Sequence, residues 1–288
     1  MIDLLNLTLS SGRGENLKLI FILAQQTNLL MPVPASHDYD LLGKLLLDVG
    51  IAMIHAGAPI RRVDLALVRI SNSFGCQIHH QMTTRDLSIS LYADHQLVFS
   101  GMVSKPGLPA VNFQLVSDIS DLGLRVKEEK PSLEQFESYF TEISGEVDYP
   151  RLFILVVVSL AGAAFCFTFG GSLLAMTLTF LSTFAGLFLK QELIKLKVNP
   201  YITTYLSAFL ASSVVGLFWL SGISGSYEQA LATSVLFLIP GVPLVIAFVD
   251  FLGGYILTGI ERAGNALLHV FSISAGLASV LYLFKIPF

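Results

Sequence analysis

Hydrophobic and polar positions follow one pattern before Arg151 and a different one after it. In the earlier part, apolar residues recur at helical or alternating spacing between polar ones, which is typical of elements with one face in water. After Arg151 the chain is almost continuously apolar in stretches of about 20 residues, the length that crosses a hydrocarbon core of about 30 Å. The pattern predicts a water-facing part followed by a membrane-spanning part.

The water-facing part, residues 36–149, is predicted to be a small α+β domain of order αα-βββ-αα. Helical spacing begins at Asp38 and ends at Gly57, which is expected to be a left-handed cap. A second helix is opened by Pro59 and closed by Gly75. Alternating residues then predict strands near 78–82, 87–91 and 97–103, with a turn at Asp94.

Two more helices complete the predicted domain. Ser132 and Gln135 have the spacing of a capping box for the last of them. The helix before it is expected to start at Pro109 and to have an apolar side made of Val111, Leu115, Ile119 and Leu122.

Five membrane spans are predicted in the transmembrane domain, residues 150–288, at about 152–169, 172–189, 201–220, 229–249 and 264–284. Positive charges of this domain collect on one side of these spans, at Arg151, Lys190, Lys195, Lys197 and Arg262. Because short cytoplasmic loops are enriched in Lys and Arg, we predict a cytoplasmic N-terminal domain and a C-terminus outside. The predicted fold class is a membrane protein, an α-helical bundle of about five transmembrane helices preceded by a small cytoplasmic α+β domain.

Composition supports the membrane class and removes several functions. Hydrophobic residues make up 53% of the chain and charged residues 13%, against a usual charged share of about 25%. The net charge of -4 and the absence of a basic stripe argue against nucleic-acid binding. We find no nucleotide-binding or catalytic motif and no Cys/His metal spacing, and the neighbouring strand residues His79 and His80 point to opposite faces. We therefore predict no enzyme activity, no cofactor and no metal site.

The fourth predicted span is broken by Pro240-Gly241-Val242-Pro243. Two prolines and a glycine remove backbone hydrogen bonds where lipid cannot replace them, so the break must be buried in protein or face a watery cavity. Broken helices place substrate sites in many transporters, although a structural kink is the alternative. Asp250 follows near the membrane boundary and is expected either to face a cavity or a partner such as Arg262, or to sit in interfacial water.

Several segments resemble the threonine/serine exporter family. They are His55-Ala-Gly-Ala-Pro-Ile-Arg-Arg-Val63, Tyr149-Pro-Arg151, Phe165-Cys166, and Ile239-Pro-Gly-Val-Pro-Leu244 followed by Asp250 and Thr258-Gly-Ile-Glu-Arg262. The similarity covers about residues 38–284 and is closest to the split form, in which a larger subunit of this architecture works with a smaller membrane subunit. One departure is that the family often has an Asn shortly after the second proline, where this chain has Leu244-Val245-Ile246.

The resemblance implies export of a small metabolite, threonine and serine in fused members and a dicarboxylate such as succinate in split ones. We therefore expect a subunit of a bacterial inner-membrane exporter for a small carboxylate-bearing metabolite, driven by secondary active transport. The expected partners are the smaller membrane subunit, the substrate and the lipid bilayer. The expected pathway residues are Pro240, Gly241, Pro243, Asp250, Thr258 and Arg262.

Other interpretations stay open at this point. The main alternative is a membrane-anchored sensor or scaffold that acts through the water-facing domain, and a passive channel is harder to exclude. Residues 1–35 form an N-terminal extension with no assigned role, and Met31 is a second candidate for the start of translation.

Overall fold

The computed structural model describes residues 36–105, 111–145, 149–221 and 227–286. The chain divides into two compact units. Among the described residues, the first unit consists of 36–56 and 62–143, and the second of Gly57–Arg61 together with the residues from Ser144 onward. The predicted extension 1–35, Pro109 and most of the predicted loop after the third span lie outside the described residues.

The first two helices are α1 (Ser36–His55) and α2 (Ile60–Ser73). Gly57 has a φ angle of 81°, so the predicted left-handed cap is confirmed, and Gly75, predicted to close the second helix, also has a positive φ of 73°. The second helix begins at Ile60, one residue after the predicted opening proline.

A three-stranded antiparallel sheet of order β1-β2-β3 follows, with strands β1 (Gln77–Met82), β2 (Asp86–Ala93) and β3 (Gln96–Ser104). Asp94 and His95 both have positive φ, as a two-residue type I′ hairpin requires, so the predicted turn is confirmed. In the central strand β2, Leu87, Ile89 and Leu91 are buried on one face. Helix α1 packs against β2 and β3.

Helices α3 (Phe113–Glu129) and α4 (Leu133–Ile143) complete the first unit. The capping box is confirmed, because the Ser132 N–H donates to Gln135 Oε1 at 3.0 Å and the Gln135 N–H donates to Ser132 Oγ at 3.3 Å. The predicted apolar side of α3 is partly wrong. Val111 precedes the helix and is exposed, whereas the buried side consists of Val116, Ile119, Leu122, Gly123 and Val126.

The second unit contains the long apolar helices α5 (Arg151–Thr168), α6 (Leu173–Lys195), α7 (Pro200–Leu220) and α10 (Ile256–Phe284). Between the last two lie α8 (Tyr227–Ser234), a 3₁₀ turn (Leu236–Leu238) and α9 (Gly241–Leu252). Four of the described helices are long and apolar enough to cross a membrane, and the pair around the break, bent by 57°, makes a fifth if it is one span.

Contacts fix the directions of these helices. Arg151 at the start of α5 pairs with Glu192 near the end of α6 at 2.8 Å, so the two helices are antiparallel. Helices α7 and α10 are parallel, because Tyr201 bonds Asn265 near their starts and Gly216 lies against Phe284 near their ends. We call the end that holds Arg151, Lys195 and Pro200 the lysine-rich end, and the end that holds Thr168, Leu173 and Leu220 the opposite end.

The bent pair runs from one end of the bundle to the other. Ala230 of α8 packs with Cys166 and Val215 at the opposite end. Leu238 packs with Ala208 and Ile273 about half-way along α7 and α10. Helix α9 then continues to the lysine-rich end and turns through Gly253–Tyr255 into α10, where Gly259 approaches the Ala247 carbonyl. The bent pair therefore extends along the whole length of the bundle.

Helix α10 is longer than a bilayer core requires. Its 29 residues extend about 43 Å, against a core of about 30 Å. Since Tyr201 lies level with Asn265 and Thr204 with His269, the first eight or nine residues of α10 project about 13 Å beyond the start of α7. The predicted span 264–284 is the part alongside α7. Glu261 and Arg262 do not end the helix. Charged side chains keep a helix segment out of hydrocarbon, but they leave its backbone hydrogen bonds intact.

Candidate functional site

Asp250 and Arg262, two of the six predicted pathway residues, meet at the lysine-rich end of the second unit. Asp250 lies in the last turn of α9 and is 1% exposed, and Arg262 lies two turns into α10 and is 7% exposed. Asp250 Oδ2 is 3.3 Å from Arg262 Nε. Of the alternatives that the sequence left open for Asp250, the structure shows the contact with Arg262.

Both side chains also bind the segment Gly57–Arg61, which belongs to the same unit. Asp250 Oδ1 accepts a hydrogen bond of 2.8 Å from the Ile60 N–H. Arg262 Nη2 donates to the Ala58 carbonyl at 2.9 Å. The first N–H groups of a helix have no partner within it and favour a negative charge nearby, so a carboxylate beside Ile60 satisfies both needs. Asp250 Oδ2 and Arg262 Nε face each other at ion-pair distance, but neither atom has a hydrogen-bond partner among the described residues.

The break in the bent pair lies apart from this ion pair. Asp250 comes nine positions after Gly241 in α9, which is about 13 Å along a helix. Pro240 and Pro243 are half-buried and Gly241 is exposed. Thr258 is one turn from Arg262 and buried. The structure thus brings Asp250, Arg262 and Thr258 to one end, and leaves Pro240, Gly241 and Pro243 in the middle of the bundle.

The break exposes the N-terminus of α9. The Gly241 N–H bonds the Ile239 carbonyl at 2.9 Å in a tight turn, and Pro243 has no N–H to donate. No atom lies within 4 Å of the place where a Cβ of Gly241 would be, so there is open space beside it. An open helix N-terminus half-way across a bilayer must be covered by protein or water.

Hydroxyl groups line the interior of the bundle between α5, α6 and α7. Thr179 and Thr233 bond each other at 3.0 Å. On α6 and α7, four further buried hydroxyls have no hydrogen-bond partner among the described residues, those of Thr183, Thr203, Ser207 and Ser212. Because buried polar atoms are normally bonded, an unpaired row of them indicates room for water or for a ligand.

A second polar cluster lies beside α7 at the lysine-rich end and was missed by the sequence-based prediction. We call it the His269 cluster and define it as Lys190, Tyr201, Thr204, Asn265 and His269. Thr204 Oγ1 is 2.9 Å from His269 Nδ1, the Tyr201 hydroxyl donates to Asn265 Oδ1 at 2.8 Å, and the Tyr201 and His269 rings are 5.0 Å apart. One signal in the sequence could have found it. Arg262, Asn265 and His269 share one face of a helix by their spacing of three and four, and His269 lies inside an apolar span.

Comparison with known proteins decides the family. A family model for threonine/serine exporters matches residues 44–284, which is most of the chain. The chain belongs to the threonine/serine exporter family.

Two relatives of this exporter family member are named as transporter subunits. Over 240 residues the chain is 25% identical to "Probable succinate transporter subunit YjjP" of Escherichia coli (strain K12), with 83% of this chain and 93% of that protein covered. It is 23% identical over 240 residues to the protein of the same name from Klebsiella aerogenes, with 83% and 92% covered. No solved structure matches the chain significantly.

Family membership and the long apolar helices together indicate that this exporter family member is a membrane transport protein. The exporter match spans the paired residues Asp250 and Arg262, the break and the His269 cluster alike. These three places are the candidates for contact with the transported molecule.

Proposed function

We propose that this chain is one subunit of a secondary active exporter for a small carboxylate-bearing metabolite in a bacterial inner membrane. The family is named for threonine and serine, and the relatives are named as succinate transporter subunits, so an amino acid and a dicarboxylate are the two substrate candidates. The word subunit in the relatives' name supports a partner, which we propose to be a smaller membrane protein of the same family.

The broken span is the observation that carries this proposal. Its two halves, bent by 57°, meet in the middle of the bundle at Ile239 and Pro240. Transporters use such half-helices because an exposed helix N-terminus attracts an anion without a charged side chain. In this proposal Pro240, Gly241 and Pro243 line the path, and the open space beside Gly241 is part of it.

Asp250, Thr258 and Arg262 are proposed to border the path at the lysine-rich end. Asp250 and Arg262 are the two buried charged side chains of the described residues. Asp250 stays our candidate for a proton- or ion-binding group, which requires that Arg262 or the Ile60 N–H moves away from it during transport. The clustering of Arg151, Lys190, Lys195 and Lys197 at this end supports its placement on the cytoplasmic side, together with the first unit.

Efflux measurements test the proposal. Cells that lack the protein and cells that regain it, with and without the small membrane partner, are preloaded with labelled succinate, threonine or serine. We expect efflux of one of these to need both chains, to saturate with internal concentration, and to fall when the proton gradient or ion gradient is removed. Unchanged efflux in every strain would remove the exporter function and favour a sensor or scaffold that acts through the first unit.

One variant tests the path itself. Gly241→Leu places a side chain in the open space beside the break, where it meets no neighbouring atom, so the protein is expected to fold normally. Gly264→Leu is the matched control, because Gly264 also faces open space but lies on α10. We expect at least tenfold lower efflux from Gly241→Leu and normal efflux from Gly264→Leu. Equal efflux from both would mean that the break is a kink without a role in the path.

A further inference from the structure

Lys190 carries its charge at the lysine-rich end of the second unit. Lys190 is half-buried near the end of α6, and among the described residues it has no ion-pair partner. The nearest acid in sequence, Glu192, already pairs with Arg151 at 2.8 Å and with Lys195 at 3.2 Å. The buried acid at this end, Asp250, pairs with Arg262. Half-buried charges are costly without a partner, so an uncompensated lysine here points to an anion that binds from outside the chain.

Helix packing places Lys190 beside the other residues of the His269 cluster. Helices α6 and α7 are antiparallel and touch where a Cβ of Gly186 would be 3.0 Å from the Ser207 carbonyl. Lys190 is one turn beyond Gly186 on the same face, which sets it level with Thr203 and Thr204. Thr204 in turn bonds His269, and the charge of Lys190 acts on that ring.

Buried polar atoms at the same level are left unpaired. The Thr203 hydroxyl is 2% exposed and has no partner, and the side-chain oxygen of the neighbouring Gln191 is also buried without one. Lys190, Asn265 and His269 themselves are half-buried, so a ligand can reach them.

The hydrogen bonds of the cluster leave its donors pointing to a ligand. The Thr204 hydroxyl bonds both the Pro200 carbonyl, at 2.9 Å, and His269 Nδ1. The hydroxyl has a single proton, so either group can be the donor in its bond with His269 Nδ1. When the hydroxyl is the donor, His269 Nε2 carries the ring proton and can donate it to a ligand. Asn265 accepts from Tyr201 through Oδ1, which leaves its NH₂ group as a donor.

We propose that Lys190, Asn265 and His269 form a binding site for one carboxylate group of the transported metabolite, with Tyr201 and Thr204 as positioning residues. Lys190 supplies a positive charge, and the Asn265 amide and a ring N–H of His269 supply directed donors to a carboxylate with two acceptor oxygens. This proposal rests on the proposed export of a carboxylate and adds the place and the residues that recognise it. The Asp250–Arg262 pair is a less suitable place for this role because its two charges compensate each other.

Binding is measured on the purified full-length chain in a neutral detergent, as the rise of melting temperature with ligand concentration. The probes are succinate, L-threonine and uncharged succinamide, with phosphatidylglycerol as a separate arm. We expect at least one of the two carboxylates to stabilise the wild-type chain and succinamide to have no effect. Lys190→Gln and His269→Gln are expected to bind that carboxylate at least tenfold more weakly, because each loses a charge-assisted hydrogen bond.

Two further variants separate binding from folding. Lys195→Gln removes a lysine from the same helix end that already pairs with Glu192, and it should bind as the wild type does. Lys190→Arg keeps the charge and should retain most of the affinity. For each variant, the rise caused by the ligand is measured from that variant's own melting temperature without ligand.

Several results would overturn the site. One is that neither carboxylate stabilises the wild-type chain. A second is that Lys190→Gln binds the carboxylate with wild-type affinity. A third is stabilisation by phosphatidylglycerol alone that Lys190→Gln abolishes, which would make the cluster a lipid-phosphate site. If the wild-type chain still exports the carboxylate in the efflux test, only this inference fails and the proposed function stands.

Discussion

The two units have opposite interiors. In the first unit the largest buried side chains are Leu46, Met53, Ile89 and Phe136, and the charged residues lie outside. In the second unit the outside carries large apolar side chains such as Leu257, at 85% exposure, while buried interior positions include Ser159, Ser182 and Ser212. Burial of apolar surface is expected to stabilise the first unit, whose charged residues lie outside as they do in a water-facing domain. It cannot do so in lipid, which is as apolar as leucine, so close packing and hydrogen bonds must hold the second unit together.

The buried ion pair gives the largest expected effect in this comparison. Asp250→Asn leaves the Arg262 charge buried without a counter-charge, and removing one partner of such a pair costs about 3–5 kcal/mol. We expect a sharp loss of melting temperature and of folded yield for the full-length chain in detergent. The double variant Asp250→Asn with Arg262→Gln should recover part of the loss, because no charge then stays unpaired. Glu129→Gln, which breaks the exposed pair with Arg125 in the first unit, should leave the melting temperature unchanged.

The same substitution, Phe to Ala, made once in each unit tests the difference between the two interiors directly. Phe136→Ala removes a fully buried ring that packs 5.9 Å from Phe74, and such cavities cost about 3–5 kcal/mol. Phe271→Ala removes a ring that is 73% exposed on α10, where we expect less than about 0.5 kcal/mol. Hydrogen exchange of peptides from β2 and α7, measured on the full-length chain, reports the two units separately. A large loss for Phe271→Ala would show that a protein, not lipid, covers that face.

Glycine contacts in the second unit should be the next most sensitive. A Cβ at Gly276 would lie 2.7 Å from the Tyr205 carbonyl and 2.9 Å from the Ala208 Cβ, so α7 and α10 can touch only because no side chain intervenes. Gly276→Leu should force these helices apart at a cost of about 1–3 kcal/mol. Gly264→Leu on the same helix meets no atom and should be neutral in the same thermal melt. Equal melting temperatures for both variants would contradict this account of the contact.

The smallest expected effect is a pH dependence of the first unit. Burial lowers the pKa of His80 from its usual 6.5, while Asp64 at 3.2 Å opposes the shift and His79 adds to it. The folded unit therefore prefers neutral His80, so its stability is full above about pH 6.5 and declines as the pH falls toward the lowered folded pKa. Urea midpoints from pulse proteolysis at pH 7.5 and 5.5 measure this decline. His80→Gln should reduce this decline of stability. The part that remains is expected from His55, whose pKa is also lowered by burial.

Local chemistry made much of the fold predictable from the sequence. The capping box of Ser132 and Gln135, the left-handed glycines and the hairpin at Asp94 each depend on residues within a few positions of one another. The break at Pro240 follows in the same way, because proline loses its hydrogen bond wherever it lies. The count of apolar residues likewise fixed the membrane class, since bilayer thickness sets the length of a span.

The pairings that form the candidate sites were decided by tertiary structure. Asp250 bonds Ile60 across 190 positions, and Thr204 meets His269 across 65. Lys190 served in the sequence only as a marker of orientation, and its place beside His269 follows from the antiparallel packing of α6 on α7 and the parallel packing of α7 on α10. Periodicity states which face of a helix a residue occupies, but not which helix covers that face. In a membrane bundle several apolar helices can cover it equally well by hydrophobicity, so small residues and a few hydrogen bonds make the choice.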